Sequence, residues 1–271
     1  MTDLYGVIGD PVSHSLSPAI HNAWITEHGL DATYEAMQVP AGDLAIALET
    51  LERNGAKGLN ITLPHKQNAI ELADSSSDIA RRIGAANTLV RQDSGGWHAE
   101  NTDAPGFAET LSEAGIDVSG QNVCLLGAGG AARAVALTLF DMRASLTICN
   151  RTISRTEELV RHLGIEADIC SLDAVESTMG KADIVVNTLS LGHEGRTLDF
   201  PEGKLRTFYD ISYGKAAATM LSQAEQAGWK PLDGLGMLVA QAAFSFEHWF
   251  GILPDMGPAL QRCRRRVEAT T

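Results

Sequence analysis

The glycine cluster Gly127-Ala128-Gly129-Gly130-Ala131-Ala132 follows directly on the apolar run Val123-Cys124-Leu125-Leu126 and leads into a small-residue stretch ending at Phe140. No other feature narrows the possible folds as much, because it reads as strand, tight turn and helix start. Gly127 permits the bend, Gly129 lets a ligand approach the main chain, and Ala132 is small enough for close helix–strand packing. A helix starting there turns free N–H groups and the positive end of its dipole towards the turn, a setting for phosphate. Glycines alone would fit a plain packing turn equally well, so the flanking pattern decides. Strands are expected at 122–126, 145–150, 166–171, 183–188, 207–211 and near 230–232, with helix-like stretches between most of them. That alternation predicts a Rossmann-type, doubly wound parallel sheet. It makes Gly127, Ala128, Gly129, Gly130 and Ala131 candidates for cradling the pyrophosphate of a dinucleotide.

The strand at 145–150 discriminates between dinucleotides. In NAD sites this strand usually ends in a carboxylate that accepts hydrogen bonds from the ribose 2′-hydroxyl. Here it ends Cys149-Asn150-Arg151-Thr152, with Arg155 close behind. No carboxylate repels a 2′-phosphate, and two guanidiniums can bind one through charge-assisted bonds. The expected cofactor is NADP, with Arg151 and Arg155 at its 2′-phosphate.

The first hundred residues are of a different kind. Strand patterns at 4–8, 32–39 and 57–62 alternate with helix patterns at 19–28 and 44–54, and 87–91 with 96–100 reads as a hairpin across Asp93-Ser94-Gly95. This predicts an N-terminal α/β domain with a mixed sheet. After Asp233-Gly234 the pattern is helical over 240–250 and 257–267, and these helices are expected to return to the first domain. The expected division is 1–103 plus 238–271 for the first domain and 104–237 for the NADP domain.

Four polar clusters fall where elements begin or end: Ser13-His14-Ser15-Leu16-Ser17-Pro18, Asn60 to Lys66, Ala86-Asn87-Thr88 and Asn101-Thr102-Asp103. Singly, each has a structural use: Ser17-Pro18 as a helix cap, Pro64 as a helix start, Asp103 as a cap. Jointly they offer short donors and acceptors to a polyhydroxylated ligand. Lys66 and Asp103 are the candidate acid–base pair, since a desolvated lysine can exchange a proton with an alcohol while hydride leaves the same carbon. His14, His21, His65 and His98 have no acidic partner at a useful spacing and are expected to be structural or peripheral.

Composition sets outer limits. The 271 residues carry 44% hydrophobic and 20% charged residues and a net charge of −13. Such a balance suits a globular enzyme and disfavours nucleic acid or an anionic membrane as partner. No apolar run approaches the roughly 20 residues of a membrane helix, and no export signal is recognisable, so a cytoplasmic protein is expected. Cys124, Cys149, Cys170 and Cys263 form no C-x-x-C pair; most lie in strand-like runs and are expected to be ordinary core residues rather than disulfide or metal ligands.

Taken in order along the chain, these motifs resemble the shikimate dehydrogenase family nearly end to end. The matching residues are Gly9-Asp10-Pro11 through Ser17-Pro18 with His21-Asn22, Asn60 through Lys66, Gly84 through Thr88, Asn101-Thr102-Asp103 with Gly106, the glycine turn, Asn150-Arg151-Thr152 with Arg155, and Asp233 through Gln241. The resemblance implies reversible, NADP-dependent reduction of 3-dehydroshikimate to shikimate, a step towards chorismate and the aromatic amino acids. It implies that Ser15 and Ser17 bind the substrate carboxylate with Tyr213 nearby. It further implies that Thr62, Asn87, Asp103 and Gln241 bind ring substituents with Asn60 close by, and that Lys66 transfers the proton. Asp78, Ile211 and Gly234 correspond to positions near the cofactor. No metal is implied, and a monomer and a homodimer are both open. Ala104-Pro105, Thr188-Leu189 and Ser212 depart from the family pattern, and the last two bear on the lining of the nicotinamide side. Two alternatives remain at this stage: a quinate/shikimate dehydrogenase of relaxed cofactor choice, against which Arg151 and Ser15 argue, and a non-catalytic NADP sensor, which would need neither Lys66 nor Asp103.

Overall fold

The computed structural model describes residues 2–269. Contacts group the chain into two units, one reaching to Gly106 and including Leu238–Ala259, the other comprising Phe107–Met237 and the stretch from Leu260. The first unit contains β1 (Asp3–Gly9), α1 (Ser17–Glu27), β2 (Ala32–Gln38), α2 (Leu44–Arg53), β3 (Gly58–Ile61), α3 (Lys66–Leu72), β4 (Ser75–Ser76), α4 (Asp78–Ile83), β5 (Thr88–Arg91) and β6 (Trp97–Glu100). Its sheet has the order β2-β1-β3-β5-β6-β4. β1 pairs in parallel with β2 and β3, whereas β5 is antiparallel to β3 and β6. The mixed sheet expected from the sequence is therefore present.

One core cluster of this unit brings Ile8, Leu59, Ile61 and Leu89 of the sheet together with Leu44 and Leu48 of α2. A second is aromatic. Fully buried Trp24 and Phe246 meet at 5.7 Å, and His21 stacks on Tyr34 at 4.2 Å. Burying each such large side chain stabilises the fold by about 2–3 kcal/mol. Phe246 belongs to α10 (Leu235–Phe250), which begins five residues earlier than the apolar spacing suggests.

The second unit carries β7 (Asn122–Leu126), α6 (Gly130–Asp141), β8 (Ser145–Asn150), α7 (Ile153–Leu163), β9 (Asp168–Ser171), α8 (Val175–Met179), β10 (Ile184–Asn187), β11 (Thr207–Asp210), α9 (Lys215–Gln226) and β12 (Lys230–Leu232). All its strands are parallel, in the order β12-β11-β10-β7-β8-β9. Helices on both faces of a parallel sheet demand strands that are apolar throughout, and β10 is buried at every position. The strand order reverses between β7 and β10, where doubly wound folds form their ligand crevice.

Several local expectations are corrected. The helix after Pro64 starts at Lys66, and α4 with the two-residue β4 was not expected at all. Ser17 is not a cap: it is the first helical residue, and its N–H is bound by the Ser15 hydroxyl at 3.2 Å. The contact division assigns the chain from Leu260 to the second unit, where α11 (Met256–Glu268) sets Val267 against Gly214 and Arg264 3.4 Å from Asp233. The cysteines also differ from expectation. Cys149 and Cys170 face each other in register on β8 and β9, 4.6 Å apart at Cα, and form a disulfide. Strand register creates that proximity, and residue spacing alone could not reveal it. Cys124 stays a buried thiol, its Sγ 3.9 Å from that of Cys149, and burial pushes it up to about 12. Among the described residues no helix is long and apolar enough to cross a membrane.

Candidate active site

In the first unit the polar clusters meet at element ends. Lys66 opens α3, and Asp103 is the first residue of α5 (Asp103–Glu113). Nζ and Oδ2 lie 2.5 Å apart, with the two side chains only 13% and 5% exposed. The other carboxylate oxygen of Asp103 accepts from Asn87 Nδ2 at 3.0 Å. Asn87 Oδ1 accepts from the backbone N–H of Thr102 at 2.7 Å, and this fixes which way the amide faces. Its Nδ2 must then point to Asp103, to Thr102 Oγ1 at 2.9 Å and to Gln241 Oε1 at 3.2 Å. An ammonium has three hydrogens, and one carboxylate oxygen satisfies one of them. Such a lysine can donate to, and recover a proton from, an alcohol or carbonyl oxygen.

The sequence candidates do not all converge on this pair. Lys66, Asp103, Asn87 and Gln241 are in direct contact. Asn60 is linked to them through Thr88 and Ser245, at 3.2 and 2.9 Å from its Nδ2. Ser15 and Ser17 bond to each other, and Thr62 packs its methyl group on Gly9. Asp78 is an exposed residue paired with Arg81 rather than with another candidate. His65 binds the Val39 carbonyl at 2.7 Å through Nε2. His98, expected to lack an acidic partner, has one: it lies between Ser75 Oγ at 2.7 Å and Glu100 Oε1 at 3.2 Å. A strand sends residues two apart to the same side, which brings Glu100 to it.

The second unit holds the remaining candidates. Gly127 has φ +113°, a left-handed conformation that a side chain resists, and Thr188 Oγ1 stands where a Cβ would be. Its N–H donates to the Cys149 carbonyl at 2.8 Å, which ties the glycine turn to the end of β8. Gly129 precedes α6 in an extended conformation, with nothing within 4 Å of where a Cβ would stand. Asn150 Nδ2 donates to Thr152 O at 2.9 Å and shapes the turn into α7, while Arg151 and Arg155 are exposed. Ile211 N–H donates to Asn187 O at 3.0 Å, and Gly234 N–H donates to Ser212 O at 2.8 Å. Tyr213 lies between β11 and α9.

The departures from the family pattern have local roles. The Thr188 hydroxyl donates to Leu126 O at 2.6 Å, and Ser212 N–H to Asp210 Oδ1 at 2.8 Å. Asp210 is 1% exposed; burial raises its pKa above the usual carboxylate range, against the bonds from Ser212 and Asn187. Sequence reasoning passed over Tyr34 and Ser245, and it gave Thr88 and Thr102, which lie in two of its polar clusters, no role of their own. Ser245 carried one usable signal, its position four residues after Gln241 on one helix face.

Comparison with known proteins bears on the whole chain. A family model described as the shikimate dehydrogenase substrate binding domain matches residues 7–89. One described as shikimate / quinate 5-dehydrogenase matches 108–194, and one for the shikimate 5′-dehydrogenase C-terminal domain matches 234–263. The chain is 57% identical over 271 residues, 100% of both chains, to the shikimate dehydrogenase (NADP(+)) of Hyphomonas neptunium. It resembles the crystal structure of shikimate dehydrogenase from Aquifex aeolicus with a TM-score of 0.86 at 34% identity, covering 97% of this chain and 98% of that one. For the enzyme of Thermus thermophilus in complex with NADP(H) and shikimate the TM-score is 0.82 at 34% identity, covering 98% and 99%. Identity of this extent, over both units and with the polar clusters in place, makes the chain a member of the shikimate dehydrogenase family of oxidoreductases.

Proposed function

We propose that this chain is a cytoplasmic, NADP-dependent shikimate dehydrogenase that reversibly reduces 3-dehydroshikimate to shikimate, on the route to chorismate and the aromatic amino acids. The observation that carries this reading is the nearly buried 2.5 Å contact between Lys66 and Asp103, bonded onward to Asn87. A nucleotide sensor has no use for that pair. The Hyphomonas relative, named for NADP(+), and the Thermus structure with NADP(H) and shikimate support the choice of ligands.

The second unit would hold NADP. Of Gly127, Ala128, Gly129, Gly130 and Ala131, which would cradle the pyrophosphate, Gly129 offers open space at the start of a 12-residue helix. Asn150, Arg151, Thr152 and Arg155 fit a 2′-phosphate, because β8 ends without a carboxylate and both guanidiniums are exposed. Ile211 and Gly234 would lie near the cofactor. When bound, the nicotinamide exchanges a hydride with C3 of the substrate ring.

The first unit would bind the ring. Ser15 and Ser17 would donate to its carboxylate. Thr62, Asn87, Asp103 and Gln241 hold the ring substituents, with Asn60 close by. In reduction, Lys66 Nζ donates a proton to the oxygen on C3; in oxidation it takes that proton back. Asp103 holds the ammonium in place.

Initial rates with NADP and NAD, on shikimate and on quinate, test the proposal. Shikimate with NADP is expected to be the best of the four combinations, and NADP to lead NAD by more than about tenfold, equivalent to ~1.4 kcal/mol. Turnover on no combination would overturn the enzymatic reading. A preference for NAD, or for quinate, would replace it by the quinate/shikimate alternative.

A further inference from the structure

Ser245 lies on α10, is 0% exposed, and no role attaches to it in the proposed reaction. Its hydroxyl is nonetheless a junction. It donates to Gln241 O at 2.9 Å and meets Asn60 Nδ2 at 2.9 Å, Thr88 Oγ1 at 2.8 Å and Thr102 Oγ1 at 3.0 Å. A hydroxyl has one hydrogen and two lone pairs. With the hydrogen on Gln241 O, the lone pairs receive Asn60 Nδ2 and one threonine hydroxyl.

Thr88 and Thr102 face the same two acceptors: Ser245 Oγ, at 2.8 and 3.0 Å, and Asn87 Oδ1, at 3.2 Å from each. Thr102 Oγ1 also accepts from Asn87 Nδ2 at 2.9 Å. When one threonine donates to Ser245, the other donates to Asn87 Oδ1, beside the Thr102 N–H at 2.7 Å. That fills both lone pairs of Asn87 Oδ1. Asn60 is clamped as well, since its Oδ1 accepts from Tyr34 OH at 2.7 Å. The bonds that bypass Ser245 are longer, at 3.2–3.3 Å, so the shortest set is the one in which Ser245 accepts.

We infer that Ser245 is a positioning residue: through Thr88 and Thr102 it fixes the amide plane of Asn87, and through Asn87 the carboxylate of Asp103. The inference rests on the proposed reaction for its kinetic consequences only. Without the Ser245 oxygen, the two threonine hydrogens fall back on Asn87 Oδ1 and on each other, at 3.2–3.3 Å. Those longer contacts close only if the Asn87 amide shifts, which loosens its bond to Asp103. Asn60 acts in the same set as a brace between Tyr34 and Ser245.

The test is Ser245→Ala in two backgrounds. In the otherwise unchanged enzyme, kcat/KM for shikimate is expected to fall by about tenfold or more, with KM for NADP unchanged within about twofold. In the Asn87→Ala background the same substitution is expected to change kcat/KM by less than about twofold, since the residue it acts through is gone. Equal losses in both backgrounds would mark a merely structural role and overturn the inference, as would no loss in the first. A second measurement is independent of turnover. Hydrogen exchange of the Asn87 side-chain amide, followed by NMR, is expected to quicken at least about tenfold in Ser245→Ala, because a bond to a buried amide is loosened. Unchanged exchange would sink the inference even in a protein without dehydrogenase activity, whereas an inactive but otherwise unchanged chain with quickened exchange would sink only the proposed function.

Discussion

At the scale of single residues, the Lys66 ammonium depends on partners that hold it rather than on isolation. Lys66→Ala removes the proposed proton carrier while leaving Asn87 and Gln241 to hold ring hydroxyls. It is expected to lower kcat by about 10²–10⁴-fold, the usual range for general acid–base groups, with little change in KM for shikimate. Steady-state rates check this, and nearly intact turnover would exclude Lys66 as the carrier. His21 makes a separate prediction, about stability. Burial among Trp24, Tyr34 and Phe246 lowers its pKa from 6.5 to about 3, and nearby Asn60, which works the other way, is outweighed. Below pH 6.5 the unfolded chain therefore binds a proton that the native protein refuses. Stability conferred by the neutral ring is complete above that pH and declines as pH falls towards 3. Between pH 7 and pH 5 the loss from this residue is about 2 kcal/mol. His21→Phe should remove that part of the acid sensitivity, measured by urea unfolding at the two pH values. An unchanged difference between them would mean that His21 is not the source.

At the scale of elements, β8 and β9 are joined twice, by their ladder and by the Cys149–Cys170 disulfide. The bond closes a loop of 21 residues, and cross-linking a loop of that size stabilises a fold by about 3 kcal/mol. Cys170→Ser is expected to lower stability by roughly that amount in non-reducing buffer, and reductant should bring the unsubstituted chain to the same level. Thermal melts with and without reductant decide the matter; coincident melts would mean that the bond contributes nothing. Cys170 is partly exposed while Cys149 is buried, so an external thiol reaches the bond from the Cys170 side. The strands themselves were legible in the sequence: β7, β8 and β12 fall at the expected residues, because apolar runs bounded by turns leave little choice. The pairing of Cys149 with Cys170 was not, since residues 21 apart become neighbours only through the register of two parallel strands. α4 was also missed, being six residues long and too short for helical periodicity to emerge.

At the scale of the molecule, each unit is organised by its own sheet and core, with Leu59 and Leu89 inside one, and Val185 and Phe208 inside the other. Reading the chain gave both sheet types, because a glycine turn after β7 and a hairpin near Ser94 are local signals. It also singled out Lys66, Asp103 and Asn87, which stand at element ends, and Gln241 inside α10, and these four are joined by contacts. What escaped was how the layer behind them is wired. Thr88 and Thr102 lie in clusters the sequence marks and Ser245 falls one turn after Gln241, but only folding shows that their oxygens share hydrogens. The returning helix α10 brings Ser245 and Gln241 to residues far earlier in the chain, as the separations of 154 and 143 for Asn87–Gln241 and Thr102–Ser245 record.

Gly106 illustrates what that return demands. A Cβ there would lie 2.8 Å from the backbone nitrogen of Gln241 and 2.9 Å from its side chain, closer than packed atoms tolerate. The position offers no functional group, yet a single added methyl must shift the helix that carries Gln241 and Ser245. A genetic screen for loss of growth without aromatic supplements would therefore recover alleles at codon 106 alongside those at Lys66 and Asp103. A survey of reactive side chains alone would overlook it.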